Sequence, residues 1–205
     1  MGPVTSYAAT SPDLPLPRAW FARDALVVAR ALIGCRLIHE RARGQTRVVR
    51  IVETEAYRGP KDLACHARAG LTRRTRTLLG QEGHAYVFFV YGMHDCFNVT
   101  CLASGAGHAV LVRAGEAIAG LDHGVRLDGP GRFARAMGIT RAMDGTDLTG
   151  RALYLLPRAR RPRIGVTPRV GVGYAGEWAD RPWRFFDAMS ACVSKPPRSA
   201  IGRPA

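Results

Sequence analysis

Lysine is nearly missing from this chain: Lys61 and Lys195 are the only two among 30 basic residues in 205. Chemistry that runs through a lysine amine, such as a Schiff base, therefore has two places to start. Lys61 sits in a Gly-Pro turn and Lys195 precedes Pro196-Pro197. Neither is an apolar setting that would lower an amine pKa into a useful range. Paired cysteines are missing too. The five, at 35, 65, 96, 101 and 192, are odd in number and contain no Cys-x-x-Cys. That argues against a zinc site or a disulfide framework, and for a reducing cytoplasm. No apolar run approaches the roughly 18 residues that a membrane span needs. Residues 1–18 lack the apolar stretch after a basic start that marks a signal peptide. No glycine-rich phosphate loop is found, and Gly171-Val172-Gly173 alone carries little weight. Acidic residues are the last scarcity, 16 against 30 basic, for a formal net charge of +14. Such a surface attracts polyanions, nucleic acid first and anionic membrane second. Nearly all of the basic residues are arginine, which suits forked phosphate contacts, although GC-rich coding gives the same bias.

What is present is ordinary globular composition, 47% hydrophobic and 22% charged, which excludes wholesale disorder. A chain this long buries roughly 70% of its unfolded surface as one domain, with no staple required. Residues 1–17, with Pro3, Pro12, Pro15 and Pro17, read as a flexible arm, 18–195 as a single domain, and 196–205 as a tail. Asp24 caps a helix over Ala25–Ile33 that Gly34 closes. Cys35–His39 and Arg47–Thr54 then read as a hairpin around the turn at 42–45. Further strands are expected at Ala85–Val90, Phe97–Leu102, Ala109–Val112, Ala152–Leu156, Ile164–Val166 and Arg184–Phe186, with a helix at Arg132–Met137. Many short strands without regular strand–helix alternation predict an α+β fold on a largely antiparallel sheet.

Three stretches could carry chemistry. Glu53 and Glu55 are two apart on a strand, so they share one face while Val52 and Thr54 share the other. Two carboxylates on one face of a buried strand are costly unless bonded or used. An exposed edge or an arginine-bonded pair is the plainer explanation. Second, the run Arg68–Arg76 holds arginines and Thr72 and Thr75 but no carboxylate, as a phosphate-contacting stretch would. Tyr57 and His66 lie just before it. Third, in Tyr86–His94 alternation puts Tyr86, Phe88 and Val90 on one side, and Gly92 with Met93 and His94 reads as a turn with an apolar tip. By itself that strand reads as core.

These residues occur in one order with others: Glu53-Thr54-Glu55-Ala56-Tyr57, His66, Tyr91-Gly92-Met93-His94 with Cys96 and Asn98, Val110–Ala114, and Arg169–Trp178. Together they resemble the alkyladenine (3-methyladenine) DNA glycosylase family over about residues 25–190. The resemblance implies a single α+β domain with a curved, largely antiparallel sheet and flanking helices. It implies a monofunctional glycosylase, a monomer that flips damaged purines out of double-stranded DNA and hydrolyses the N-glycosidic bond. No metal or organic cofactor and no membrane is implied, and the setting is the cytoplasm, associated with the bacterial nucleoid. Glu55 matches the family's general base, and Arg113 with the Val170 backbone its water-positioning groups. Tyr57, His66 and Phe88 match the walls of the base pocket, and Asn98 the amide that screens purine substituents. Tyr91 matches the side chain that enters the duplex, flanked by Met93 and His94, while Arg73, Arg74 and Arg76 are expected on the DNA backbone. Phe88 departs from the tyrosine common in the family, and the missing hydroxyl bears on substrate range. Glu53 is assigned to structure or arginine pairing.

The physical chemistry agrees with this reading. Glycosidic cleavage builds positive charge on the sugar, which one carboxylate offsets while it polarises water. An electron-poor base stacks between aromatic faces, and a wedge fills the gap it leaves. Two competing readings are a nuclease holding magnesium on Glu53, Glu55 and Asp62, and a non-catalytic RNA-binding module built on the aromatic strand and the arginines.

Overall fold

The computed structural model describes residues 14–90 and 92–194. A short helix α1 (Arg18–Phe21) leads into α2 (Ala25–Leu32), whose first turn is capped by Asp24 accepting from the Leu26 N–H at 2.9 Å. Strands β1 (Arg36–Glu40) and β2 (Thr46–Arg58) form the expected hairpin. Then come β3 (Ala85–Val90), β4 (His94–Cys101) and β5 (His108–Ala119), helix α3 (Pro130–Met137), and the short strands β6 (Leu153–Leu156), β7 (Ile164–Thr167) and β8 (Arg184–Asp187). Pro130 starts α3, where its missing N–H costs nothing, and Gly138 ends it in the left-handed conformation.

The eight strands make one sheet in the order β3-β4-β5-β2-β1-β6, with β8 on β2 and β7 on β8, and every pairing is antiparallel. The sheet curls on itself as a half-barrel with few helices, the α+β single domain that the sequence predicts. Leu16, within the stretch expected to be a flexible arm, is buried and donates its N–H to the Leu155 carbonyl.

Long β2 is the axis of the molecule. Its early residues pair with β1, its later ones pair with β8 on that same side, and β5 runs along the other. Helix α2 packs on β2 through Val28, Ala29 and Leu32. The Thr54 hydroxyl bonds the Ala29 carbonyl from the face opposite Glu53 and Glu55.

Several strands run further than the sequence pattern suggests. Strand β2 continues through Tyr57, β4 begins at His94, and β5 reaches Ala119. The apolar pattern breaks earlier in each, at polar or charged residues. On β2 and β5 one such pair stays inside the ladder because it bonds across it, Arg50 opposite Glu116.

Candidate active site

Two successive bulges shape the centre of the β2–β5 ladder. Ile51 pairs with Gly115 but Glu53 with Ala114, which leaves Val52 extra; Thr54 then pairs with Val112, which leaves Arg113 extra. A bulged residue loses its ladder partner and its side chain is re-aimed. Arg113 uses that freedom to reach both acidic residues of β2. Its Nε donates to Glu53 Oε1 at 2.9 Å, and its Nη1 lies 3.3 Å from Glu55 Oε1.

Glu55 is buried without any exposed surface. The Val170 N–H donates to its Oε1 at 2.7 Å and the Tyr57 hydroxyl to its Oε2 at 2.9 Å. The sequence resemblance assigns the Val170 backbone to water; the structure gives its N–H to Glu55. Burial, and then the Glu55 charge, hold the Tyr57 hydroxyl well above its ordinary pKa, so it stays a donor. Arg113, Tyr57 and Val170 all line a cavity of about 180 Å³, and Glu55 stands directly behind them.

Asp62 does not join the other carboxylates. Both its oxygens pair with Arg169, at 2.6 and 2.9 Å, and they also accept the N–H groups of Arg58 and Ala64. Arg169 lies over the rings of Tyr57 and Trp183, so this pair braces the Tyr57 wall. Glu53, Glu55 and Asp62 are thus turned to guanidinium groups and not to a shared cation. Among the described residues no three His, Cys, Asp or Glu converge as metal ligands. The arrangement is the arginine-bonded alternative for the Glu53–Glu55 pair, and it is compatible with Glu55 as the base.

The cavity has an aromatic side. His66, Tyr86 and Phe88 pack together, with His66 edge-on to Phe88 at 4.5 Å between ring centres and Tyr86 at 5.4 Å from Phe88. Alternation along β3 aims Tyr86, Phe88 and Val90 into the cavity, as the sequence pattern places them. His66 Nδ1 lies 3.0 Å from the Tyr86 hydroxyl. Burial first, then the Arg74 charge, push the His66 imidazole down to about 4, so it is neutral near pH 7. Asn98 is buried at the cavity, and its Nδ2 donates to the carbonyls of Tyr86 and Cys96 at 3.0 and 3.3 Å. Its donors are spent on the sheet, which leaves Oδ1 as the free end of the amide.

Of the residues expected to meet DNA, those described are exposed. Tyr91 falls outside the described residues. Beside it Gly92 takes the left-handed conformation (φ 65°), as a tight β3–β4 turn requires, and Met93 stands 68% exposed at the tip. His94 is exposed and rests on Gly131, where an added Cβ would come within 2.7 Å of its ring. Arg73, Arg74 and Arg76 are all exposed, and among the described residues Arg73 and Arg76 make no ion pair. Arg74 leans inward, its guanidinium carbon 5.2 Å from the Phe88 ring centre and its Nη2 3.4 Å from His66 Nε2. The threonines of this run do not serve as free phosphate donors. Thr72 and Thr75 bond one another's N–H groups, Thr75 bonds the Gly70 carbonyl, and Thr77 bonds Asp144.

Sequence reasoning misses the parts that lie far apart along the chain. Tyr86 reads as core from its strand alone, although its spacing from Phe88 already puts it on the pocket side. Arg169 and Asp62 are 107 residues apart and no local pattern links them.

Known proteins share this sequence along most of its length. The family described as Methylpurine-DNA glycosylase matches residues 19–191. A relative from Myxococcus xanthus named 3-methyladenine DNA glycosylase is 52% identical over 93% of this chain and 98% of its own. One of that name from Methanocella arvoryzae is 45% identical over 88% and 96%, and one from Legionella pneumophila 40% over 88% and 98%.

Proposed function

The chain belongs to the methylpurine-DNA glycosylase family, and from that premise we propose how its own residues carry out excision. It is a DNA glycosylase, a hydrolase of N-glycosyl bonds. The observation that carries the mechanism is a buried Glu55 whose three donors form one wall of an aromatic cavity. A damaged purine flips out of the duplex into that cavity, against Tyr57 on one side and His66 with Phe88 on the other. Neutral His66 adds no positive charge there, and aromatic faces attract the cation that an alkylated purine carries. As the base enters, the Tyr57 hydroxyl yields Oε2 of Glu55 to a water. Glu55 takes a proton from that water while its oxygen bonds the sugar carbon C1′. The electron pair of the glycosidic bond leaves with the purine. The products are a free base and an abasic site in an intact strand.

Water is the nucleophile in this reading, and among the described residues no lysine lines the cavity. Lys61 is exposed in its turn, and Lys195 lies outside the described residues. The substrate range extends from 3-methyladenine to other purines that fit the same walls. Phe88 supplies a stacking face without a hydroxyl, beside the Tyr86 hydroxyl that His66 Nδ1 meets at 3.0 Å.

The direct test is single-turnover excision from a duplex with one 3-methyladenine or one hypoxanthine, in wild type and Glu55→Gln, with and without chelator. A sharp fall in Glu55→Gln and indifference to chelator are expected. Inactivation by chelator alone would favour the nuclease reading, and full tolerance of Glu55→Gln the binding-module reading. Borohydride trapping of a covalent adduct would overturn the water mechanism.

A further inference from the structure

Glu53 is more heavily bonded than the residue taken as the base. It is buried without exposed surface, and four donors converge on it. Arg113 Nε and Arg184 Nε reach Oε1 at 2.9 and 2.7 Å, the Ser194 hydroxyl reaches Oε1 at 2.9 Å, and the Ser194 N–H reaches Oε2 at 2.6 Å. The Ser194 oxygen also accepts from Arg113 Nη2 at 3.2 Å. Arg113 therefore spends each guanidinium nitrogen on a different partner: Nε on Glu53, Nη1 on Glu55, Nη2 on Ser194. A free arginine beside Glu55 would pair with it two-pronged and cover both carboxylate oxygens. Here Glu53 and Ser194 draw two nitrogens away, only Nη1 faces Glu55, and its Oε2 is left to Tyr57.

We propose that residues 188–194, which follow β8, are a latch, and that Ser194, Glu53 and Arg184 are positioning residues that hold Arg113 in this one-pronged pose. The latch is tied down along its length. Asp187, the last residue of β8, pairs with Arg50 at 2.7 Å at its root; then Ser190 bonds Glu116, and Cys192 bonds Ser190 before Ser194 reaches Glu53. Buried ion pairs are poor stabilisers compared with apolar side chains of the same volume. Fixing Arg113 against Glu55 is a use for this network that apolar replacements would not serve. The inference rests on the reading of Glu55 as the base, and the test separates the two.

The experiment measures the single-turnover rate on a lesion duplex, affinity for an uncleavable abasic-analogue duplex, and the thermal midpoint. Ser194→Ala removes the hydroxyl but keeps the N–H, and deleting a hydrogen bond to a charged group is worth about tenfold in rate. Its affinity should stay within about twofold of wild type. Ser194→Thr, which restores the hydroxyl, should recover the rate. Glu53→Gln frees Arg113 to close on Glu55 and should slow excision by about a hundredfold at unchanged affinity. A Ser194→Ala protein with the wild-type rate, while Glu55→Gln is inactive, overturns the latch alone. So does a Ser194→Thr protein as slow as Ser194→Ala with both midpoints lowered together. Full activity in Glu55→Gln overturns both readings, since nothing is then left to position.

Discussion

Arginine serves this protein in two opposite settings. Arg113, Arg169 and Arg184 are at most 6% exposed, and each is matched by a buried carboxylate: Arg113 and Arg184 by Glu53, with Glu55 beside Arg113, and Arg169 by Asp62. Three positive and three negative groups make this buried set neutral. Arg73 and Arg76, a few residues past the pocket histidine, are exposed without a carboxylate partner among the described residues. The net charge of +14 therefore owes nothing to this buried set, which is balanced. Inside, a guanidinium fixes geometry because its fork is rigid and its charge cannot be removed. Outside, the same group offers long-range attraction to a polyanion that salt can screen.

The contrast between the two settings should be largest at Asp62. Asp62→Ala strands the Arg169 charge in the interior, and removing one partner of a buried pair costs about 3–5 kcal/mol. Arg73→Gln, by contrast, should change stability by no more than about 0.5 kcal/mol. Denaturant unfolding of both variants checks this, and equal destabilisation would erase the distinction between the two settings.

Next in size is the effect on chemistry. Glu55→Gln keeps the shape of the side chain but removes the charge that the proposed mechanism sets against the developing sugar cation. Single-turnover excision should fall on the order of a hundredfold or more, with DNA binding retained. A variant that cuts at the wild-type rate would make the buried network purely structural.

The outline of this site was legible in the sequence because much of it is local. Glu53 and Glu55 share a face by strand alternation, and Tyr86, Phe88 and Val90 share one by the same rule. Helix α2 is announced by Asp24 and closed by Gly34. The long-range half was not legible. Nothing in the run around Arg113 marks it as a bulged residue, because a bulge is a property of two strands in register and not of one. Ser194 reaches Glu53 across 141 residues, and the Thr72–Thr75 pair looks from composition like free hydroxyls when it is a closed turn. Spacing reports which side chains share a face. It does not report which distant group meets them there.

Salt sharpens the exposed side of the contrast. Replacing one phosphate-binding arginine should flatten the plot of log affinity against log salt by about one unit. Arg73→Gln and Arg76→Gln should each do so on undamaged and damaged duplex alike. An unchanged slope in the double variant would remove this stretch from the interface, whatever its charge. Arg74→Gln should add a second effect, because its guanidinium also overhangs Phe88 and His66.

That second effect is the smallest and the most specific. The His66 imidazole sits at about 4, against 6.5 in the unfolded chain, chiefly because it is buried and secondly because Arg74 is near. Between those values the unfolded chain binds the proton more readily. The stability contributed by a neutral His66 is therefore complete above about pH 6.5 and declines as pH falls toward 4. His66→Gln has no such group, so the stability gap between wild type and this variant should narrow over that window. Proton NMR should place the His66 midpoint near 4 in wild type. Arg74→Gln should raise it, yet leave it below the unfolded value, since burial remains. A wild-type midpoint near 6.5 would mean that the ring is solvated and that the cavity wall carries a titrating charge at neutral pH. A midpoint indifferent to Arg74→Gln would return Arg74 to the outer set of arginines, with no share in the pocket.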